Sequence, residues 1–440
     1  LTTDARTVVL TGGRAPATLD MARQFAAAGH RVIVAESMRY HVAGASRHTA
    51  RSYAVPRPNM QPDAYIDALE RIVKSEKADL LIPMCEEIFY VSQGLERLSK
   101  HCRVFAEPIG KLRVLHSKWS FIRQAAEWGF DVPATRLLGS QAELEALLQD
   151  AEAEARGGDC RAGETAAAGN GRPKLLPLVL KPVYSRFAAN VIVLQADELL
   201  KHGWQSAAKR LNVSAERPWV AQQFIGGRQI CTYSVVWNGA VTAHAAYDVD
   251  FTAGRGACIS FRPFQSRPLA DWVERFVRQA GFTGQIAFDF IVAADGTIYP
   301  IECNPRATSG IHLFKACDRL DRAFLESCGS PTPYTAANAG RQPQHAERSN
   351  EGTVIVPQPE SRSMIALAML SYGLGSVRSR HRLQEWAGTF GRATDVVFRL
   401  NDPLPFLEQF RTLWSTWRES RAHRVSMLHA STLDIEWNGD

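Results

Sequence analysis

The chain has 440 residues, 45% hydrophobic and 22% charged, an ordinary globular composition with room for two to four domains. Its formal net charge of +6 is spread among mixed acids and bases. The one arginine-rich stretch (Arg378, Arg380, Arg382, later Arg418, Arg421, Arg424) is interrupted by Asp395, Asp402 and Glu419, so solvated helix faces are expected and a nucleic-acid footprint is not. The eight cysteines include no CxxC pair and no apolar run approaches a membrane span, which argues against a zinc ribbon, a secreted disulfide framework or a membrane protein and fits a reducing cytoplasm.

The N-terminus reaches a strand-like run, Thr7 to Leu10, within a few residues, in place of a signal peptide. Gly12 and Gly13 allow a tight turn, and a helix is expected from Pro16 to Ala28. Gly29 stops it, and Arg31 to Ala35 read as the next strand, giving a βαβ unit of a parallel sheet. A helix over 63–76 and a strand over 79–83 continue the pattern, so residues 1–112 are expected to form a doubly wound domain. The stretch 151–172 lacks hydrophobic periodicity and reads as a surface loop. Beyond it, LLPLVLKPV and VIVLQ resemble paired strands. RPWVAQQFI, QICTYSVVW and AVTAHAAYDV alternate with the turns Gly226-Gly227 and Asn238-Gly239 and predict antiparallel strands. A helix over 269–280 precedes QIAFDFIVAADGTIYPIECNPR, two strands joined at Asp295-Gly296. Residues 331–352 read as a linker, and 353–440 as a C-terminal α/β cap.

The last strand pair carries the strongest chemical signal. Asp289 precedes Glu302 by thirteen residues, and Asn304 and Arg306 follow at +2 and +4. Alternation along an extended strand can turn Glu302, Asn304 and Arg306 to one face, with Asp289 opposite on the neighbouring strand. Two carboxylates and an amide oxygen make a hard, oxygen-rich site suited to magnesium. Arg306 adds a planar cation able to grip a phosphoryl group or a carboxylate.

IECNPR, preceded by FDF, resembles the metal-binding end of the ATP-grasp superfamily, in particular the carbamoyl-phosphate synthase large subunit, biotin carboxylase and the D-alanine–D-alanine ligases. The likeness runs over about residues 7 to 315. It implies an α/β fold with a Rossmann-like N-terminal domain, an ATP-grasp core over 113–330 with a lid lobe over 175–225, and ATP lying between the lobes. Asp289, Glu302 and Asn304 would hold Mg²⁺ (or Mn²⁺), and Arg306 would stabilise the transferring phosphoryl. LVLKP resembles the strand carrying a phosphate-binding lysine, here Lys181, and SKWSF the position of another, Lys118. AQQFIGG resembles the interlobe hinge, where adenine meets the main chain at Gln223 and Ile225, beside Gln222 and Phe224. Gln223 and Gln229 stand where the family usually has acids for the ribose. The loop after Lys181 is YSRFAAN, where Ser185 and Arg186 could donate to phosphate or substrate. Glu86 and Glu87, after a strand of the first domain, could hold a substrate ammonium or hydroxyl.

The activity so implied is an ATP-dependent carboxylate–amine ligase, catalysed with Arg306 and Lys181, with an amino acid as the expected substrate. Its partners would be a small carboxylate and an amine, with a homodimer left open and neither nucleic acid nor membrane involved. Three rivals remain: a carbamoyl-phosphate-type kinase acting on bicarbonate or carbamate, a nicotinamide oxidoreductase using TGGRAP and Glu36, and a non-catalytic nucleotide-binding regulator.

Overall fold

A computed structural model describes residues 5–157, 176–185, 191–254, 256–325 and 354–439. The linker expected at 331–352, Arg186, and most of the loop expected at 151–172 lie outside the described residues. The chain divides into two compact units: residues 1–113, 230–289 and 304–440 form one, and 114–229 with 290–303 the other. Among the described residues no helix is long and apolar enough to cross a membrane.

The first unit opens with a five-stranded parallel sheet. Its order is Arg51–Ala54, Arg31–Glu36, Thr7–Thr11, Leu80–Ile82, Arg103–Val104. The expected strands are present, and Arg51–Ala54 and Arg103–Val104 add its edges. The helix Pro16–Ala27 has proline in its first turn, where a missing N–H costs nothing. Val8, Leu10, Phe25 and Val34 bury their side chains where this helix meets the sheet. Strand order reverses between Thr7–Thr11 and Leu80–Ile82, so the loops that follow them, 12–14 and 83–87, share the carboxyl edge where open sheets take ligands.

In the same unit, residues 230–237 of the strand Arg228–Trp237 pair antiparallel with Ala240–Asp248 around Asn238-Gly239, as the turn chemistry requires. The helix Arg267–Ala280 is capped by Ser266 and ends at Gly281 with φ +52°, a left-handed conformation glycine adopts without strain. Its buried Leu269, Trp272, Val273, Phe276 and Val277 recur every three or four residues. The strand Gly284–Val292 leads the chain from this unit into the other, and Ile298–Asn304 returns it. Residues of the expected cap are fastened here: Ser363–Met364 pairs with Ser260–Phe261. Buried Arg23 donates to Asp402 at 2.9 Å and to the carbonyls of Val396 and Val397.

The second unit holds a four-stranded sheet ordered Thr135–Leu138, Trp219–Gln223, Leu178–Pro182, Ile192–Leu194, antiparallel throughout. The helix Gln141–Ala155, capped by Ser140, lays Leu144, Leu147, Leu148 and Ala151 into a core with Leu178, Leu180, Leu194 and Trp219.

Candidate functional site

Three groups gather in the second unit. Lys118 opens the helix Lys118–Glu127, whose cap is Ser117. Its main-chain N–H donates to the Val183 carbonyl at 3.2 Å, and this bond ties the helix start to the residue after the Lys181 strand. The buried Lys118 ammonium donates to the Ser185 carbonyl at 3.1 Å and lies 3.3 Å from a Glu302 oxygen. Lys181, equally buried on the strand Leu178–Pro182, donates to Gln222 Oε1 at 2.9 Å and to the Ile301 carbonyl at 3.2 Å. Gln222 faces Lys181 because Val179 and Gln222 are register partners on adjacent strands. Its amide nitrogen donates in turn to Thr135 Oγ1 at 2.9 Å.

Burial works against the Glu302 charge, but Lys118, then Lys181 and then His116 hold its carboxyl below the usual range. Glu302 keeps 22% of its side chain exposed, so an ionised oxygen still faces solvent. A buried ammonium is costly unless paired, and two of them bearing on one carboxylate make a cluster of net positive charge.

The hinge segment follows from the same sheet. Phe224 is exposed, Ile225 half-buried and Gln229 exposed. The Gln223 N–H donates to the Ala134 carbonyl at 2.8 Å and its side-chain oxygen accepts from Ala134 N; an adenine contact through that N–H is therefore already taken within the sheet. Gly227 passes so close to Val292 that a Cβ would sit 2.3 Å from its carbonyl oxygen, which requires glycine there.

The remaining expected site residues belong to the first unit. Asp289 is half-buried on Gly284–Val292; its charge, after burial, holds the hydrogen-bonded Cys231 thiol up. Buried Asn304 accepts from Arg306 Nη2 at 3.0 Å. Arg306 Nε stands 3.6 Å from Glu86 Oε1. Glu86 is fully buried and its other oxygen accepts from the Trp437 N–H at 3.3 Å, with the Trp437 ring stacked on Phe89 at 4.5 Å between centroids. Glu87 is buried against Gly12, and burial, then the Glu36 charge, push its carboxyl up to about 7. Among the described residues no three His, Cys, Asp or Glu side chains gather as a metal cage.

Several residues at these sites carried no sequence signal strong enough to name them. His116 precedes the Ser117-Lys118 cap, and Thr135 orients Gln222. Arg14, directly after the glycine pair, spans Glu36 and Asp434: its main-chain N–H donates to Glu36 at 2.8 Å and Nη2 to Asp434 at 2.8 Å. Glu36, the carboxylate a nicotinamide ribose would need, is thereby engaged inside the fold.

No family profile and no curated sequence matches the chain. Solved structures do. The N5-carboxyaminoimidazole synthase from Aspergillus clavatus, in complex with ADP and its ribonucleotide, is similar at 15% identity and TM-score 0.51, with 80% of each chain covered. The biotin carboxylase–β-γ-ATP complex from Campylobacter jejuni is similar at 15% identity and TM-score 0.52, covering 74% of this chain and 72% of that one. The biotin carboxylase domain of the Hydrogenobacter thermophilus 2-oxoglutarate carboxylase, a dimer with MgADP, ADP and bicarbonate, is similar at 13% identity and TM-score 0.52, covering 76% and 72%. At these identities the likeness is one of fold, and the fold this chain has is the ATP-grasp architecture that its sequence resembles.

Proposed function

We propose that the protein is an ATP-dependent carboxylate–amine ligase that phosphorylates a small carboxylate with ATP and passes the acyl group to an amine. The observation that carries this reading is the placing of two buried lysines about Glu302: Lys118 lies 3.3 Å from its carboxylate, and Lys181 donates to the carbonyl of the preceding Ile301. A phosphate chain supplies the negative charge such an arrangement can accept, and the related folds bind ADP or an ATP analogue.

In this reading Lys118 and Lys181 bind the phosphates, and Gln222, Phe224, Ile225 and Gln229 line the base and ribose. The partly exposed Glu302 carboxylate, kept ionised, fits a divalent cation, and Asp289 and Asn304 are its proposed co-ligands. Mg²⁺, or Mn²⁺ in its place, would neutralise phosphate charge when bound. Arg306 grips the transferring phosphoryl or the acid; positioning and charge neutralisation are the protein's share of such a step. Glu86, Glu87, Ser185 and Arg186 are proposed to face the substrates, with an amino acid as one of them. The proposed setting is the cytoplasm.

One second reading has a specific observation behind it. The Hydrogenobacter domain is complexed with bicarbonate, so bicarbonate is a candidate for the carboxylate here. The test is an ADP-release screen over acid and amine pairs, bicarbonate included, with mass spectrometry of products and thermal shifts beside it. Mg-ATP should raise the melting temperature and NAD should not, because a ligand that binds only the native state stabilises it. A shift with NADH and none with ATP would overturn the reading.

A further inference from the structure

The helix Leu404–His423 buries Pro405, Thr416 and Ser420 against its own unit. Its other side is apolar. Leu404, Leu407, Phe410, Leu413, Trp414 and Trp417 are between 43% and 60% exposed. Leu407, Phe410, Trp414 and Trp417 follow one another at steps of three, four and three, the spacing of a coiled-coil seam. These six side chains leave on the order of 700 Å² of apolar surface in water, more than a monomer ordinarily exposes in one patch and close to the ~800 Å² per partner of a stable interface. The rings are ordered before any partner arrives. Trp414 stacks on Trp417 at 5.0 Å, and Phe406 meets Phe410 edge-on at 5.4 Å.

We infer that this face is an interface with a second copy of the chain, the two helices packing antiparallel across a two-fold axis. The argument is one of size. The first half of the seam is leucine and phenylalanine, the second half tryptophan. Antiparallel seams set each first-half position against a second-half one, so Leu407 meets Trp417 of the second copy and Phe410 meets its Trp414. Large then opposes smaller in every layer, and a two-fold pairing closes on itself without leaving the patch open. A parallel pairing would stack tryptophan on tryptophan. Arg411 flanks the seam near the axis and is paired at 3.3 Å with Glu408 of its own helix, so its counterpart does not meet a bare charge.

The experiment is sedimentation velocity of the full chain over a concentration series. The parent is expected to dimerise. Trp414→Glu places a carboxylate in the seam twice per dimer and should raise the dimer dissociation constant on the order of 10³-fold. Its circular dichroism and melting temperature should not fall below those of a parent monomer, since the ring is exposed in the protomer. Leu407→Glu should do the same and replaces it should Trp414→Glu fold poorly. The exchange Leu407→Trp with Trp417→Leu preserves the opposition of sizes and should keep the dimer, whereas Leu407→Trp alone should weaken it. A parent monomeric at every concentration, or a dimer untouched by both glutamates, overturns the inference. So does a monomer that co-sediments with anionic phospholipid vesicles through Trp414, which would give the face to lipid.

Discussion

Two buried charge clusters in this molecule are built with opposite signs. In the second unit, the Glu302 carboxylate lies 3.3 Å from Lys118, which also donates to the Ser185 carbonyl, and beside it Lys181 donates to Gln222 and to the Ile301 carbonyl. In the first unit, at the carboxyl edge of the parallel sheet, one guanidinium, Arg14, is met by Glu36 and Asp434, with Ser37 adding a hydroxyl to Asp434. Burial of an ion is tolerated when partners replace its hydration. The Arg14 cluster achieves this from within the chain. The lysine cluster sets two cations about one carboxylate. A glycine turn and a carboxylate at a sheet edge therefore need not mean a nucleotide, whereas two buried lysines about a partly exposed glutamate suit one.

The comparison breaks most visibly at Glu302. Glu302→Ala should remove Mg-dependent ADP formation by on the order of 10³-fold or more while the chain stays folded. Steady-state ADP release with magnesium in excess checks it, and near-normal turnover would return the lysine cluster to a structural role.

Arg14→Met tests the other side. It leaves Glu36 and Asp434 buried without their cation, a loss of about 3 kcal/mol in unfolding free energy. The pKa shifts add a pH signature. After opposing burial, Arg14 holds both Glu36 and Asp434 below their ordinary values. Stability from these groups is present above their unfolded pKa and lost as pH falls through the folded ones. Urea denaturation of parent and variant should therefore differ at neutral pH and converge in acid. ATP affinity of the folded variant should not change; a fall would mean that the two clusters are not separable.

Lys181→Met sharpens the contrast at smaller scale. Loss of one charge-assisted bond to phosphate should weaken Mg-ATP binding by about 1.5–3 kcal/mol, roughly 10- to 150-fold, in calorimetric titration. Unchanged affinity would make Lys181 a partner of Gln222 and nothing more.

Local pattern carried much of this into view. The βαβ start, the Asn238-Gly239 hairpin and the apolar strand ending at Lys181 each rest on a few neighbouring residues, so their types were legible. The helix starts at Ser117, Ser140 and Ser266, which cap in the structure, follow the ordinary preference for serine there but were not singled out in the sequence. What was not legible is what distant residues do to one another. Arg14 and Asp434 are separated by 420 positions, and no period or turn signal links them. Glu36 alone has the look of a ribose ligand; its partner came from a turn read for its glycines. Glu86 likewise reads as an acid at a helix start until Arg306 and the Trp437 N–H are placed beside it. Within the first forty residues, Arg14 after the glycine pair and Glu36 at the end of the following strand stand 22 positions apart, and only the fold brings them together.

The smallest effect concerns Glu87, which shares the anion-rich edge with Glu36 but lies in a more apolar place beside Gly12 and Tyr65. Burial raises its carboxyl first, Glu36 adds to this, and Arg14 opposes, leaving it at about 7 against an ordinary 4.5. An acid whose folded pKa is raised favours folding fully below the unfolded value, and that advantage is lost as pH rises through the folded one. At pH 4 Glu87 is protonated in both states and costs nothing. At pH 8 the folded chain must bury a carboxylate that the unfolded chain exposes to water. The shift bounds the cost at about 3 kcal/mol, and relaxation around the site leaves about 1–2 kcal/mol as the expectation. Glu87→Gln keeps the shape and removes the titration, so its melting temperature should exceed the parent's at pH 8 and match it near pH 4. A constant offset at both values would show that the substituted amide alters packing and that Glu87 titrates alike in the folded and unfolded chain. Should a cationic substrate group bind Glu87, as proposed, the parent's deficit at pH 8 should shrink on adding that substrate, and the glutamine variant should show no such gain.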